Sequence, residues 1–268
     1  MELLVNGART FIYTGGKPFD AAKPTVAFIH GVLNDHSVWI LQSRYFAHHG
    51  WNVVAVDLPG HCRSAGDAPK SVEEAAGFML ALLDALKVER AALVGHSFGA
   101  LVALETAARA PQRVTQLALV GIAYPMKVSA ALLENSQHQP MKAIDMVNTF
   151  SHSMLAPPPS GLGPGTWLYG SSRALMRRVL ASNRTVNVFH RGFVACDSYA
   201  GGDEAIDKVR CPVLFVLGKS DAMTPPKAAQ GLQQKARDGR TVLVDGGHQM
   251  MSEAPDAVLF ALRDFLQP

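Results

Sequence analysis

An α/β fold built on a mostly parallel sheet is what this sequence predicts, and three observations carry that expectation. Short, unbroken apolar runs recur along the first half of the chain. Stretches with helical spacing of their apolar residues separate them. The same alternation returns near the C-terminus. The early runs are Thr25–His30 (TVAFIH), Trp51–Asp57 (WNVVAVD), Ala91–Gly95 (AALVG) and Gln116–Gly121 (QLALVG). A strand that is apolar at every position is covered on both faces, as strands of a parallel sheet between helices are. Helices are expected over Ser37–His48, Ser71–Leu86 and Phe98–Arg109. Ser71, with Glu73 and Glu74 behind it, supplies an N-cap and acidic side chains in a first turn, where the helix dipole favours them. Residues 3–5 and 9–13 read as short extended pieces that form an antiparallel edge hairpin.

Between about Ala123 and Gly201 this rhythm stops. Two helix-like stretches, Ser129–Met154 and Ser171–Cys196, surround the segment APPPSGLGPG. A structureless loop of that length is out of place in a compact domain, so a helical insertion is expected. Pro157, Pro158 and Pro159, followed by Gly161, Gly163 and Gly165, read as a stiff and then flexible segment within it. The alternation resumes with Cys211–Gly218 (CPVLFVLG), a helix over Pro226–Lys235, a strand over Thr241–Asp245 and a last helix over Ala254–Leu266. The division expected is a core of residues 1–122 and 202–268, with residues 123–201 inserted.

With 268 residues, 48% of them hydrophobic, the chain can bury a core without metal or disulfide staples. Its 25 basic and 22 acidic side chains leave a net +3 with no run of like charge. No basic patch interleaves with aromatic residues, so no nucleic-acid partner is expected. Cys62, Cys196 and Cys211 are too far apart and too irregular for a disulfide framework or a zinc site. The first residues lack the basic-then-apolar pattern of a signal peptide, and no apolar stretch approaches the roughly 20 residues that cross a bilayer. A cytoplasmic protein is expected, with no membrane association, no metal and no cofactor.

Gly95-His96-Ser97-Phe98-Gly99 sits between an expected strand and an expected helix. That is the context a G-x-S-x-G nucleophile elbow needs: the strand ends, one serine turns sharply, and the helix begins. Glycines flank the serine because side chains there would collide with the neighbouring strand and helix. A serine hydroxyl at neutral pH needs a base, and the base needs an orienting carboxylate. His248 follows the last strand in Asp245-Gly246-Gly247-His248, where the glycines let the chain bring an imidazole over the sheet edge. Asp221 follows the preceding strand in Gly218-Lys219-Ser220-Asp221, with Asp245 as its competitor. The expected catalytic residues are Ser97, Asp221 and His248. Two backbone N–H groups should form an oxyanion hole: Phe98, directly after the serine, and Val32 in the His30-Gly31 loop, with Leu33 as the fallback. His30 is expected to organise that loop by hydrogen bonding.

These pieces resemble the α/β-hydrolase superfamily, in its serine-nucleophile branch with a helical cap after the sixth strand. The resemblance rests on His30-Gly31 with Trp39 downstream, on Asp57-Leu58-Pro59-Gly60-His61-Cys62-Arg63-Ser64, on the Gly95–Gly99 elbow, on Gly218–Asp221 and on Gly247-His248. It departs from the commonest pattern after Arg63-Ser64, where Ala65-Gly66-Asp67 follows instead of a serine-to-proline step. The resemblance implies a mostly parallel eight-stranded sheet flanked by helices, with the cap over the active site. A serine at the elbow argues against the aspartate-dependent dehalogenases and epoxide hydrolases of this fold. It implies attack on a carbonyl, and a carboxylesterase acting on a small-molecule ester is the favoured expectation. A carbon–carbon bond hydrolase, an enol-lactonase or a thioesterase would use the same residues, and a ligand-sensing receptor would keep them with little turnover.

The cap chooses the substrate in such proteins. Its Met141, Met146, Phe150, Met154, Leu155, Trp167, Phe189 and Phe193 either pack the insertion onto the sheet or line an acyl pocket. Met126, Phe150, Trp167 and Phe193 are the candidate substrate-binding residues.

Overall fold

The computed structural model describes residues 1–20, 22–153 and 167–267. Met154, Leu155, the three prolines from Pro157 and the glycines Gly161, Gly163 and Gly165 lie outside the described residues.

The chain opens with the expected hairpin. β1 (Glu2–Val5) and β2 (Ala8–Tyr13) pair antiparallel through Asn6-Gly7, whose φ values of +51° and +79° suit the tight turn that matches strand twist. The other strands are β3 (Thr25–Ile29), β4 (Asn52–Val56), β5 (Ala91–His96), β6 (Val114–Val120), β7 (Val213–Gly218) and β8 (Gly239–Val244). The eight-stranded sheet has the order β1-β2-β4-β3-β5-β6-β7-β8 and is parallel from β4 to β8.

The unbroken apolar runs have the cause the sequence suggested. Successive side chains of a strand point to opposite faces, and here helices cover both. Val26, Phe28, Val53, Ala55 and Val94 pack on the side of α1 (Ile40–His48) and the C-terminal helix. Ala27, Ile29, Val54, Val56 and Leu93 pack on the side of α2 (Val72–Ala85) and α3 (Phe98–Arg109). Ser71 caps α2 as expected, its Oγ accepting the Glu74 N–H at 3.2 Å. The helix expected over Ser37–His48 begins as a 3-10 turn, His36–Trp39, capped by Asp35.

The insertion between β6 and β7 is helical, but each of its two expected stretches is a pair of helices. The first is α4 (Ala130–His138) and α5 (Pro140–Ser151). Pro140 has no N–H to continue α4, and its fixed φ suits the first position of a new helix. The second pair is α6 (Leu168–Ser182) and α7 (Val188–Ser198). Between them the Asn183 carboxamide oxygen accepts the N–H groups of Thr185 and Val186, and Asn187 caps α7 by accepting from His190. These local bonds compete with a continuous helix and win.

Core loops hold these helices down. Ile144, Val147, Met176, Val179, Phe189 and Phe193 pack with Leu33 and Ala68. Arg178 of α6 donates to Asp35 at 2.6 Å, and Asn183 donates to the Gly60 carbonyl at 3.1 Å. Burial alone would raise the pKa of Asp35, but bonds from Ser37 and Arg178 outweigh it and hold the carboxyl at about 2. Beyond the insertion, α8 (Gly202–Lys208) packs on α3 and on α9 (Gln230–Lys235), and α10 (Met250–Glu253) leads into α11 (Pro255–Phe265), the C-terminal helix of the first layer. Among the described residues no helix is long and apolar enough to cross a membrane.

Candidate active site

β5 ends at His96 and α3 begins at Phe98, which leaves Ser97 alone to make the turn. Its backbone sits at φ +55°, ψ −117°, a region that costs an L-residue about 1–3 kcal/mol. The flanking glycines are sterically required. A Cβ on Gly95 would collide with the Gly99 carbonyl, and one on Gly99 with the carbonyls of Ile29 and His30. The Ser97 N–H donates to the Val120 carbonyl at 2.9 Å, so β6 holds the turn in place. Among the described residues the Ser97 hydroxyl makes no hydrogen bond.

Asp221 and His248 follow β7 and β8, and the structure brings them together. His248 Nδ1 lies 2.8 Å from Asp221 Oδ2, and both side chains are buried. The carboxylate can only accept, so Nδ1 carries a proton, and with that single proton on the ring Nε2 is an acceptor. Burial alone would raise the pKa of Asp221. The His248 ring beside it and the Thr224 hydrogen bonds outweigh that and hold it below the ordinary value. Asp245, the competitor, is 86% exposed and pairs with Lys219 at 2.7 Å.

Two further residues complete this arrangement, and sequence reasoning had given neither a role. The Thr224 hydroxyl lies 2.8 Å from Asp221 Oδ2, 3.0 Å from His248 Nδ1 and 2.9 Å from the Gly121 carbonyl, while the backbone N–H groups of Met223 and Thr224 donate to Asp221 Oδ1. A threonine three residues after an aspartate is the available signal, since such pairs close local turns. His96, inside the elbow, lies with its Nε2 2.9 Å from the His248 carbonyl and its ring centroid 4.6 Å from that of His248. Burial holds the His96 pKa down to about 3, so the ring is neutral and fixes the His248 backbone by donating from Nε2. Gly121 closes the group, because a Cβ there would sit 3.3 Å from His248 Nδ1.

Val32 and Phe98, the two expected oxyanion donors, both have backbone N–H groups that are not used within the fold among the described residues. The Val32 N–H makes no bond among the described residues. Phe98 is the first residue of α3, so its N–H has no partner inside the helix. His30 does organise their loop: its Nε2 accepts the Leu58 N–H at 3.1 Å and its Nδ1 lies 2.9 Å from the Gly31 carbonyl. Leu33, the fallback donor, is fully buried at φ +55°.

Of the expected substrate-binding residues, two are placed inside and two outside. Phe193 is buried in the cluster that also holds Val32 and Leu33, and Met126 is buried in the cluster containing Phe98. Phe150 and Trp167 are 49% and 62% exposed. α5 buries Ile144, Val147 and Ser151, which turns Phe150 outward, and Trp167 stacks on Tyr169 with its ring centroid 5.7 Å away.

Asp35, His36 and Asp57 place three metal-capable donors close together. Their atoms are already engaged. Asp57 Oδ1 accepts from the His36 N–H and lies 2.7 Å from its ring Nδ1, and Asp35 Oδ2 accepts from Arg178. The group braces the loops after β3 and β4 against each other and, through Arg178, against α6.

Comparison with known proteins agrees with this architecture. The sequence model of the alpha/beta hydrolase family matches residues 26–261. The pimeloyl-[acyl-carrier protein] methyl ester esterase of Neisseria meningitidis serogroup A is 29% identical over 273 residues, covering 92% of this chain and 78% of that protein. The dihydrolipoyllysine-residue acetyltransferase component of the acetoin cleaving system of Pseudomonas putida is 29% identical over 249 residues. That match covers 90% of this chain but only 63% of the relative, so the chain spans less than two thirds of that protein's length. Among solved structures, the enol-lactonase of Burkholderia xenovorans LB400 superposes with a TM-score of 0.80 at 22% identity, covering 99% of each chain. The chain belongs to the alpha/beta hydrolase family.

Proposed function

We propose that the protein is a serine hydrolase that cleaves a small-molecule carboxylic ester, or a closely related acyl bond, through an acyl-enzyme on Ser97. The observation that carries this reading is the buried His248–Asp221 pair at 2.8 Å, set at the strand edge where the strained Ser97 turn also lies. The methyl ester esterase named among the relatives supports the choice of ester.

His248 Nε2 takes the proton of the Ser97 hydroxyl as Oγ attacks the carbonyl carbon. The oxygen becomes an anion and accepts the Val32 and Phe98 N–H groups, each such donor being worth roughly 3 kcal/mol. As the tetrahedral centre collapses, His248 returns the proton to the leaving alcohol. Water then repeats the sequence on the acyl-enzyme, with His248 as base and then acid. Asp221 holds the tautomer throughout, and helices α4 to α7 act as the cap that sets substrate choice.

The test is hydrolysis of p-nitrophenyl acetate, butyrate and octanoate, with a lactone and a thioester in the same panel, beside labelling by a fluorophosphonate. Turnover with labelling at Ser97 is expected. Labelling without turnover of any of them would favour a ligand-sensing protein, and no labelling would overturn the reading.

Thr224 enters this scheme as a positioning residue. Thr224→Val is expected to lower kcat about tenfold to a hundredfold, the size of losing one orienting hydrogen bond, with KM little changed. Thr224→Ser should restore most of kcat. Equal losses in both variants would mean that packing, not the hydroxyl, matters there.

A further inference from the structure

We propose that Asn148, Ser151 and His152, at the C-terminal end of α5, form a polar subsite that takes an uncharged, amide-like group of the substrate, such as a carboxamide or carbamoyl. The proposal rests on the hydrolase reading above and names a substrate class for it.

Four side-chain atoms of these residues are buried without a hydrogen-bond partner among the described residues: Asn148 Oδ1 and Nδ2, Ser151 Oγ and His152 Nε2. The residues themselves are 0%, 0% and 6% exposed. Buried polar groups are nearly always satisfied, because losing water without gaining a partner is costly. The other buried groups of this kind among the described residues are single atoms of residues scattered through the fold, Trp39, Gln42, His96 and Gln116. Here three residues within five positions share the deficit.

Their place in the fold gives the deficit a use. Ala143, Ile144 and Val147, on the same buried face of α5, belong to the apolar cluster against which Val32 and Met223 pack. Asn148 and Ser151 continue that face to the loop carrying His248. The Ser151 carbonyl accepts the Gln249 N–H at 3.0 Å, and a Cβ on Gly247 would fall 2.9 Å from the His152 carbonyl carbon. Glu253 locks the contact, accepting from the Gly247 N–H through one oxygen and from Ser153 through the other. The backbone at this end of α5 is therefore fixed against the loop that carries the proposed catalytic histidine, and the buried cluster that α5 joins also packs Val32 of the oxyanion loop.

The donor and acceptor pattern selects the ligand. His152 Nδ1 lies 2.9 Å from the Asn148 carbonyl, which can only accept, so Nδ1 carries a proton and, when the ring holds only that proton, Nε2 accepts. Asn148 offers one acceptor and one donor, and Ser151 can serve as either. A primary amide matches this set: its N–H groups meet His152 Nε2 and Asn148 Oδ1, and its carbonyl meets Asn148 Nδ2. A carboxylate has no hydrogen to give, and an alkyl group satisfies nothing.

The test uses two ester pairs. 2-Amino-2-oxoethyl butyrate is compared with isobutyl butyrate, and the p-nitrophenyl ester of 5-carbamoylpentanoic acid with p-nitrophenyl heptanoate. The wild type is expected to favour the amide member of at least one pair by tenfold or more in kcat/KM. Asn148→Leu should erase that preference, with the hydrocarbon esters within about threefold of wild type and the fluorophosphonate labelling rate unchanged. The His152 ring lies 5.7 Å from that of Tyr169, centroid to centroid; His152→Phe keeps a ring there, should reduce the preference as well, and serves if Asn148→Leu does not fold. Wild-type labelling with no amide preference would overturn this inference alone, as expected if these groups only hold buried water. A preference that survives in the folded variants would overturn it too. Failure of the wild type to label would sink it together with the hydrolase reading.

Discussion

Ser97→Ala is expected to lower kcat for ester hydrolysis by roughly 10⁵- to 10⁶-fold, with KM close to that of the wild type. The substitution removes the attacking oxygen and leaves the Val32 and Phe98 N–H groups, the His248–Asp221 pair and the surrounding helices in place. Residual hydrolysis would come from those donors acting on a bound ester, which is why some acceleration over water should survive. Stability gives an independent readout of the same turn. Alanine keeps a Cβ at φ +55°, so its thermal midpoint should match that of the wild type. Ser97→Gly removes the Cβ and is expected to be inactive yet more stable by about 1 kcal/mol, because the strain at this position serves only to project the hydroxyl. Activity of Ser97→Ala within tenfold of wild type would remove the serine from its proposed role. A glycine variant no more stable than the alanine one would show that the turn is not strained.

Much of this molecule is legible in its residues, for reasons that differ by region. β3, β4 and β5 are visible because helices cover both faces, which forces apolar residues at nearly every position. The elbow is visible because two backbone collisions demand Gly95 and Gly99 around Ser97. Asp221 could be preferred over Asp245 because a strand-end residue and a residue beyond the strand point differently, and the structure sends Asp245 to solvent. The insertion was legible only as helical. Pro140 carried the signal for the break between α4 and α5, but the Asn183 turn that separates α6 from α7 depends on side-chain bonds that spacing does not reveal. Phe150 shows the same boundary. Helical spacing says that a face exists, whereas which face turns inward is decided by the partner it meets. In α5 the inward face carries Asn148 and Ser151, polar residues that composition alone would assign to solvent.

Asp221→Asn is expected to lower kcat by about 10⁴-fold while the fold is retained, and the reason lies in the hydrogen bonds around the carboxylate. Oδ1 accepts two backbone N–H groups, from Met223 and Thr224. An asparagine must place its carbonyl oxygen there, since an amide NH₂ would face two donors. Its NH₂ then occupies the Oδ2 position, 2.8 Å from His248 Nδ1. Nδ1 can answer that NH₂ only as an acceptor, so the ring proton moves to Nε2, and the atom that should receive the Ser97 proton already holds one. The loss should therefore fall on kcat and on the fluorophosphonate labelling rate together, with little change in KM. Stability should change with pH as well. The folded-state pKa of Asp221 is depressed, so its contribution to stability is present above the ordinary carboxylate pKa of about 3.8 and is lost as the pH falls further. Asp221→Asn has no such proton to take up, and its stability should fall less steeply on acidification below pH 4. Asp245→Asn is the matched control and should stay within about twofold of wild type in kcat, since its charge meets only Lys219 in solvent. A large loss in the Asp245 variant with little loss in the Asp221 variant would transfer the orienting role from one aspartate to the other.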